Sequence, residues 1–348
     1  MRIVDLRSDT VTTLTDKMHL AMKKAEIGDD GFGEDRTTNK FEDLAAGRVG
    51  KEDALFVPSG VMGNLIAIMV HTKPGDGLIC DRNAHINSMA SGNTAAVAGI
   101  TTCPLETDTV GNFDKEELES HINLDQISTP KTTLLVYENT NNLAGGTVVT
   151  PEAAYELSMI SKKYGLRIHL DGARIFNSSV AQGVEVAELT RYCDSVMFCI
   201  SKGLSSPVGS ILAGSKDFIT QARRFRKMLG GGMRQTGVLS ACGIISLEEM
   251  VGRLGEDHDN ARLLAEGLAK IDGFYIAMET VQTNIIRFTF NLPKLNCRKL
   301  IEDLERRGVR AIYFNGNFGR MVTHKEIKRA DILYALEEVQ NIVASHQR

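Results

Sequence analysis

Short apolar runs recur along the first two thirds of this chain, each closing on a polar or glycine-containing segment. Ala54–Val57, Leu78–Cys80, Thr133–Tyr137, Leu166–Leu170 and Val196–Ile200 are such runs. Their length and bounding turn residues predict buried strands. Between them the spacing turns helical. Asp16–Ala25 is predicted as a helix capped by Thr15, with Met18, Ala21, Met22 and Ala25 on one face. Further helices are predicted over Asn39–Arg48, from the Pro58–Asn64 turn to about Val70, from Thr150-Pro151 to about Tyr164, and onward from Asp217. Ser210–Ala213 reads as another strand of the same sheet, with an antiparallel direction expected. Alternating strands and helices predict a mostly parallel α/β sheet with functional residues at the strands' carboxyl ends.

Beyond Met250 the texture changes. Strands are predicted at Phe274–Met278, Ile285–Phe290, Val309–Tyr313 and Phe318–Val322, interleaved with helices over Asp257–Ile271, Arg298–Arg307 and Arg329–Val343. The predicted organisation is a large domain over 1–250 and a small α+β domain over 251–348.

Composition narrows the function classes. The 348 residues are 43% hydrophobic and 24% charged, ordinary for a globular protein. A net charge of −4 and a pI near 6.1 argue against nucleic acid as a partner. Six scattered cysteines contain no C-x-x-C pair and suit buried reduced thiols better than disulfides or zinc. No apolar stretch is long enough to span a bilayer, and the default expectation is a cytoplasmic enzyme.

Two strand ends carry candidate chemistry. Val196–Ile200 runs into Ser201-Lys202-Gly203, and Leu166–Leu170 runs into Asp171-Gly172-Ala173-Arg174. Either polar residue alone could be solvated at an ordinary strand end. Together, 31 residues apart at strand–helix–strand spacing, they fit pyridoxal 5′-phosphate. That cofactor needs a lysine for a Schiff base and an acid to keep its pyridine nitrogen protonated. The Pro58–Asn64 turn, between a strand and a helix start, is a candidate phosphate site, although it lacks G-K-[ST] and G-x-G-x-x-G. His85 follows a strand and could be a structural hydrogen-bonder or stack on a planar cofactor. The basic cluster ending at Lys227, before Gly230–Gly232 and Arg234, is either a solvated helix face or a contact to ligand or neighbouring subunit.

In these motifs the chain resembles the L-threonine aldolase family of fold-type-I pyridoxal phosphate enzymes. They are DLRSDTVT at Asp5, GDDGFGED at Gly28, VPSGVMGN at Val57, AHI at Ala84, ENTNN at Glu138, HLDGARIFN at His169, FCISKGLSSPVGS at Phe198, RKMLGGGMRQ at Arg226, VQTN at Val281 and RMVTH at Arg320. The resemblance implies that Lys202 carries the cofactor, Asp171 partners its ring nitrogen and His85 stacks on the ring. It implies phosphate binding by Gly60 and the backbone of Val61. Ser8, Arg174 and Arg320 would hold the amino acid's carboxylate. Lys227 and Arg234 would reach the phosphate from a partner subunit, in a homodimer or homotetramer with shared sites. The implied reaction is aldol cleavage of a β-hydroxy-α-amino acid to glycine and an aldehyde, without a metal.

Departures concentrate where the β-hydroxyl would be handled. Asn141 stands where the family usually has a histidine, and it is expected to bind substrate without acting as a base. Ala90 stands for a glutamate, Asn87 and Phe32 for tyrosines, and Val61 for a phosphate-binding threonine. The alternatives are racemisation or β-elimination begun by α-proton removal at Lys202, or a non-catalytic cofactor-binding homologue.

Overall fold

The computed structural model describes residues 2–347. Its strands, in chain order, are β1 (Val4–Asp5), β2 (Asp53–Val57), β3 (Gly77–Asp81), β4 (Thr101–Leu105), β5 (Thr132–Glu138), β6 (Arg167–Asp171), β7 (Ser195–Cys199) and β8 (Ser210–Gly214). They are followed by β9 (Phe274–Tyr275), β10 (Ile285–Leu292), β11 (Leu295–Asn296), β12 (Val309–Arg310), β13 (Ile312–Phe314) and β14 (Phe318–Val322).

The central sheet has seven strands in the order β2-β8-β7-β6-β5-β3-β4. Pairing is parallel from β7 through β4, while β8 is antiparallel to both β7 and β2. Six strands therefore share one direction and β8 is reversed. That reversal matches the antiparallel direction expected for Ser210–Ala213. It also aligns the carboxyl ends of β2, β3, β5, β6 and β7 along one edge of the sheet. Residues at the middle of these strands are buried on both faces, which is why they read as continuous apolar runs. Phe41, Phe56, Phe176 and Phe198 belong to the largest apolar cluster.

The remaining sheet is antiparallel, in the order β11-β10-β14-β13, with β9 also on β10. Here alternation is legible: along β10, Ile286, Phe288 and Phe290 are buried while Arg287, Thr289 and Asn291 are exposed. These apolar side chains form a second cluster with the Leu254–Leu268, Cys297–Arg306 and Arg329–Gln347 helices. Val4 and Leu6 lie in that second cluster, and β1 pairs in parallel with β12, Val4 opposite Val309. The chain's first strand therefore packs with the carboxyl-terminal elements, unlike a division that assigns all of 1–250 to the large domain.

Several elements differ from the sequence expectation. The strand expected over Phe274–Met278 stops at Tyr275 and gives way to a 3-10 turn at Met278–Thr280. The strand expected over Val309–Tyr313 is split at Ala311, because its two halves serve different sheets. The strand Thr101–Leu105 and the helices Lys115–Ser120, Ile175–Gln182, Val186–Thr190 and Gly237–Ile245 were not predicted. Gly237–Ile245 (GVLSACGII) is apolar on most of its surface and carries two glycines, so no helical stripe marks it. Among the described residues no helix is long and apolar enough to cross a membrane.

Candidate active site

A cavity of about 610 Å³ opens at the shared carboxyl edge of the sheet. Lys202, Asp171, His85, Gly60, Val61, Ser8, Arg174 and Arg320 all line it. Each reaches the cavity by a local device.

At the end of β2 the chain turns into the Gly60–His71 helix. Ser59 caps it, its hydroxyl accepting from Met62 N at 3.2 Å. The helical ladder begins with Gly63 N donating to Ser59 O at 3.0 Å. The amides of Gly60 and Val61 thus precede the ladder, and the helix dipole favours an anion beside them. A side chain at Gly60 would force its neighbours to shift. A Cβ would lie 2.9 Å from Cys199 Sγ and 3.1 Å from Met197 Cε on β7. The close approach sets this helix start directly on β7, the strand that leads to the lysine.

Beyond β7, the Lys202 carbonyl accepts from Thr12 Oγ1 at 2.8 Å, anchoring the lysine loop to the amino-terminal segment. At the end of β6, Asp171 is buried, and each carboxylate oxygen accepts one hydrogen bond. Asn64 Nδ2 donates to Oδ2 at 2.7 Å and Ala173 N to Oδ1 at 3.1 Å. Burial pushes the His85 imidazole below its ordinary value, with Asp171 opposing and Lys202 and Arg174 reinforcing. His85 is therefore neutral at pH 7 and able to accept a proton.

Glu138, at the end of β5, also lines the cavity. Its carboxyl accepts from His85 N and, at 3.2 Å, from Asn142 N, so it clamps the two loops that follow β3 and β5. Burial and the nearby Asp171 raise its pKa, although both amides pull the other way.

The two arginines assigned to the carboxylate differ. Arg174 is buried and already neutralised: its Nε and Nη2 donate to the two oxygens of Asp9, both at 2.7 Å. Burial works against the Asp9 charge, but Arg174 outweighs it and holds this carboxyl well below the usual range. Arg320 is buried with no carboxylate paired to it among the described residues. Its Nη1 donates to Asn142 Oδ1 at 2.8 Å, and its Nε is buried without a partner. Burial, aided by the charge of Arg174, pushes Arg320 down to about 10. Arg320 is thus a desolvated guanidinium on the cavity wall with no counter-ion among the described residues.

Asn141, expected to touch substrate, does not line this cavity. Its Nδ2 donates to Asp81 Oδ2 at 2.8 Å and its Oδ1 accepts from Ala144 N at 3.0 Å. Packing against Gly111 closes its remaining side, so the amide is spent on the loop. Its neighbour Asn142 faces the cavity instead. Lys227 and Arg234 also lie outside the cavity of their own subunit. Both are exposed, and Arg234 reaches Asp29 at 3.1 Å. Ala90 lines an adjoining apolar hollow with Val61 and Met89, Asn87 donates to Arg82 O, and Phe32 is 77% exposed. Asp9, Asn142 and Glu138 are the site residues that sequence reasoning missed. The only signal available was their position inside the DLRSDTVT and ENTNN motifs.

Comparison with known proteins agrees with this geometry. The beta-eliminating lyase family matches over residues 5–290. Low-specificity L-threonine aldolase 1 of Arabidopsis thaliana is 42% identical over 351 residues, covering 100% of this chain and 98% of its own. Low specificity L-threonine aldolase of Escherichia coli (strain K12) is 39% identical over 330 residues, covering 95% and 96%. The solved structure of Leishmania major threonine aldolase superposes with a TM-score of 0.82 at 20% identity, over 97% of this chain and 99% of its own. That likeness shows the fold, which is that of the fold-type-I pyridoxal phosphate enzymes. With the match spanning most of its length, the chain belongs to the beta-eliminating lyase family.

Proposed function

We propose that this protein cleaves a β-hydroxy-α-amino acid, L-threonine or L-allo-threonine, into glycine and an aldehyde, using pyridoxal 5′-phosphate. The observation that carries this reading is the convergence of Lys202, Asp171 and His85 on one cavity, beside an Arg320 left without a counter-ion. The residues fit the cofactor. A helix start packed closely on β7 at Gly60 suits a phosphate, and a buried acid suits a ring nitrogen. A lysine beyond the intervening strand suits covalent attachment.

When bound, this cofactor supplies an electron sink to the amino acid's α-carbon. Lys202 Nζ would be the attachment point, and Asp171 would keep a proton at the ring nitrogen. His85 would lie against the ring. The Gly60 and Val61 amides would hold the phosphate. Arg320, held by Asn142, binds and orients the substrate carboxylate, with Ser8 nearby; Arg174 contributes its residual positive field. Neutral His85, on the cavity wall, is the group that takes the β-hydroxyl proton in this reading. Lys227 and Arg234, exposed on their own subunit, reach a partner's phosphate in a homodimer or homotetramer. A cytoplasmic location accords with this chemistry.

The test is to load the protein with cofactor and supply L-threonine, L-allo-threonine, L-serine and L-alanine separately. Acetaldehyde with equimolar glycine from either threonine is expected, and Lys202→Ala should produce none. Pyruvate or D-alanine without acetaldehyde would replace aldol cleavage by elimination or racemisation.

A further inference from the structure

Behind Asp171 the interior holds a line of polar side chains that the proposed reaction does not use. Asn64 and His71 stand seven residues apart on the Gly60–His71 helix, so they share a face about 10 Å apart. His169 and Asp171 are two apart on β6 and share a face about 7 Å apart. Ser195 on β7 is the direct cross-strand partner of His169. Helix and sheet meet along these faces. The contacts are Asp171 Oδ2 to Asn64 Nδ2 at 2.7 Å and Asn64 Oδ1 to His169 Nε2 at 3.0 Å. His169 Nδ1 then meets Ser195 Oγ at 2.8 Å, and Ser195 Oγ meets His71 Nε2 at 2.8 Å. Asn64, His169 and Ser195 are buried, whereas His71 is half-buried and stacks on Phe218 with ring centroids 4.8 Å apart.

The chemistry of each group settles the direction of every bond. A carboxylate only accepts, so Asn64 turns its NH₂ to Asp171 and its carbonyl oxygen to His169. His169 must then donate from Nε2. Burial, reinforced by nearby His71, pushes this imidazole down to about 3, so at pH 7 it has a single N–H. Its Nδ1 is consequently an acceptor, and the Ser195 hydroxyl donates to it. Ser195 Oγ has spent its proton and accepts from His71 Nε2–H. Every link donates toward Asp171, and each fixes the tautomer or rotamer of the next.

We infer that Asn64, His169, Ser195 and His71 form a one-way hydrogen-bond relay that positions the Asp171 carboxylate against the cofactor's ring nitrogen. This inference rests on the cofactor assignment above. All four are positioning residues that act through Asp171; Asn64 also reaches the cavity wall, while His169, Ser195 and His71 lie behind it. An apolar interior would pack this helix on the sheet equally well, so the polar line serves the group at its inner end.

The test uses the cofactor-loaded protein and Ser195→Ala, which removes one oxygen and cuts the relay two links from Asp171. Two readouts are taken: the cofactor dissociation constant, and the ¹⁵N chemical shift of cofactor labelled at its ring nitrogen. Losing the contribution of one hydrogen bond predicts about two- to tenfold weaker binding. The ¹⁵N signal should move toward the unprotonated ring, and Ser195→Thr, which keeps the hydroxyl, should restore both. His71→Phe keeps the stack on Phe218 and opens the relay at its outer end; it should move both readouts the same way, and it decides the matter if Ser195→Ala fails to fold. Unchanged binding and an unchanged ¹⁵N signal in a folded variant would overturn the relay alone. Failure of the unaltered protein to take up cofactor would overturn the proposed function and the relay with it.

Discussion

Asp9→Asn isolates the largest buried charge interaction beside the cavity. Asp9 is fully buried and Arg174 nearly so, and they share two hydrogen bonds of 2.7 Å in a bidentate fork. Asparagine keeps the shape and one acceptor but removes the counter-charge. It also turns an NH₂ toward either Arg174 or Asn284, whose Nδ2 now donates to Asp9 Oδ2 at 3.2 Å. An uncompensated buried guanidinium costs about 3–5 kcal/mol. A second substitution, Arg174→Met, removes that stranded charge, so the double variant should recover about 2–3 kcal/mol relative to the sum of the two single losses. Urea unfolding of cofactor-free protein at one fixed concentration measures all four corners of the cycle. Two results would refute the reasoning: a single variant within about 0.5 kcal/mol of the parent, or strict additivity in the double variant.

Two further outcomes follow from the interior. Burial pushes His71 down to about 4, so its native state resists a proton that the unfolded chain takes up near 6.5. Its contribution to stability is present above pH 6.5 and lost as pH falls toward 4. Between pH 7.5 and 5 the difference between parent and His71→Phe should shift by about 2 kcal/mol in favour of the variant. Paired urea titrations at the two pH values measure this, and an unchanged difference would contradict it. Comparison with the variant is needed because Glu138, with its raised pKa, gains stability over the same range. Asn141→His should give no gain in acetaldehyde from L-threonine, since position 141 faces Asp81 and Gly111 rather than substrate. It should lower stability by about 1–3 kcal/mol through the loss of a buried hydrogen bond; faster cleavage in a product assay would show that the loop can turn the residue inward.

Residues that announced the site did so because strand ends are abrupt. Val196–Ile200 and Leu166–Leu170 are apolar until they leave the sheet, so Lys202 and Asp171 stand out at its edge. The parallel sheet was legible for the same reason. Asn141 and Asn142 illustrate the opposite case. They are adjacent and chemically identical, and only the turn of the loop decides which one meets Arg320. The Asp9–Arg174 fork was hidden by a separation of 165 residues. The line from Asn64 to His71 was hidden by apolar neighbours that made the helix read as plain core. Short strands such as Val309–Arg310 escaped delimitation because two residues carry no period.

The pairing of β1 with β12 has a consequence for how the molecule is made. Val4 and Asp5 bind partners more than 300 positions downstream, and between them and Thr12, which grips the Lys202 loop, lie the cavity residues Ser8 and Thr10. During synthesis the Val4–Asp5 segment emerges well before its partner strand, Val309–Arg310. Closing so long a loop is an entropic cost met only when the rest is assembled. The wall of the cavity built by Ser8 and Thr10 is therefore among the last parts to settle. A nascent chain carrying its sheet, lysine and aspartate still lacks a closed site until Val309–Arg310 has been made.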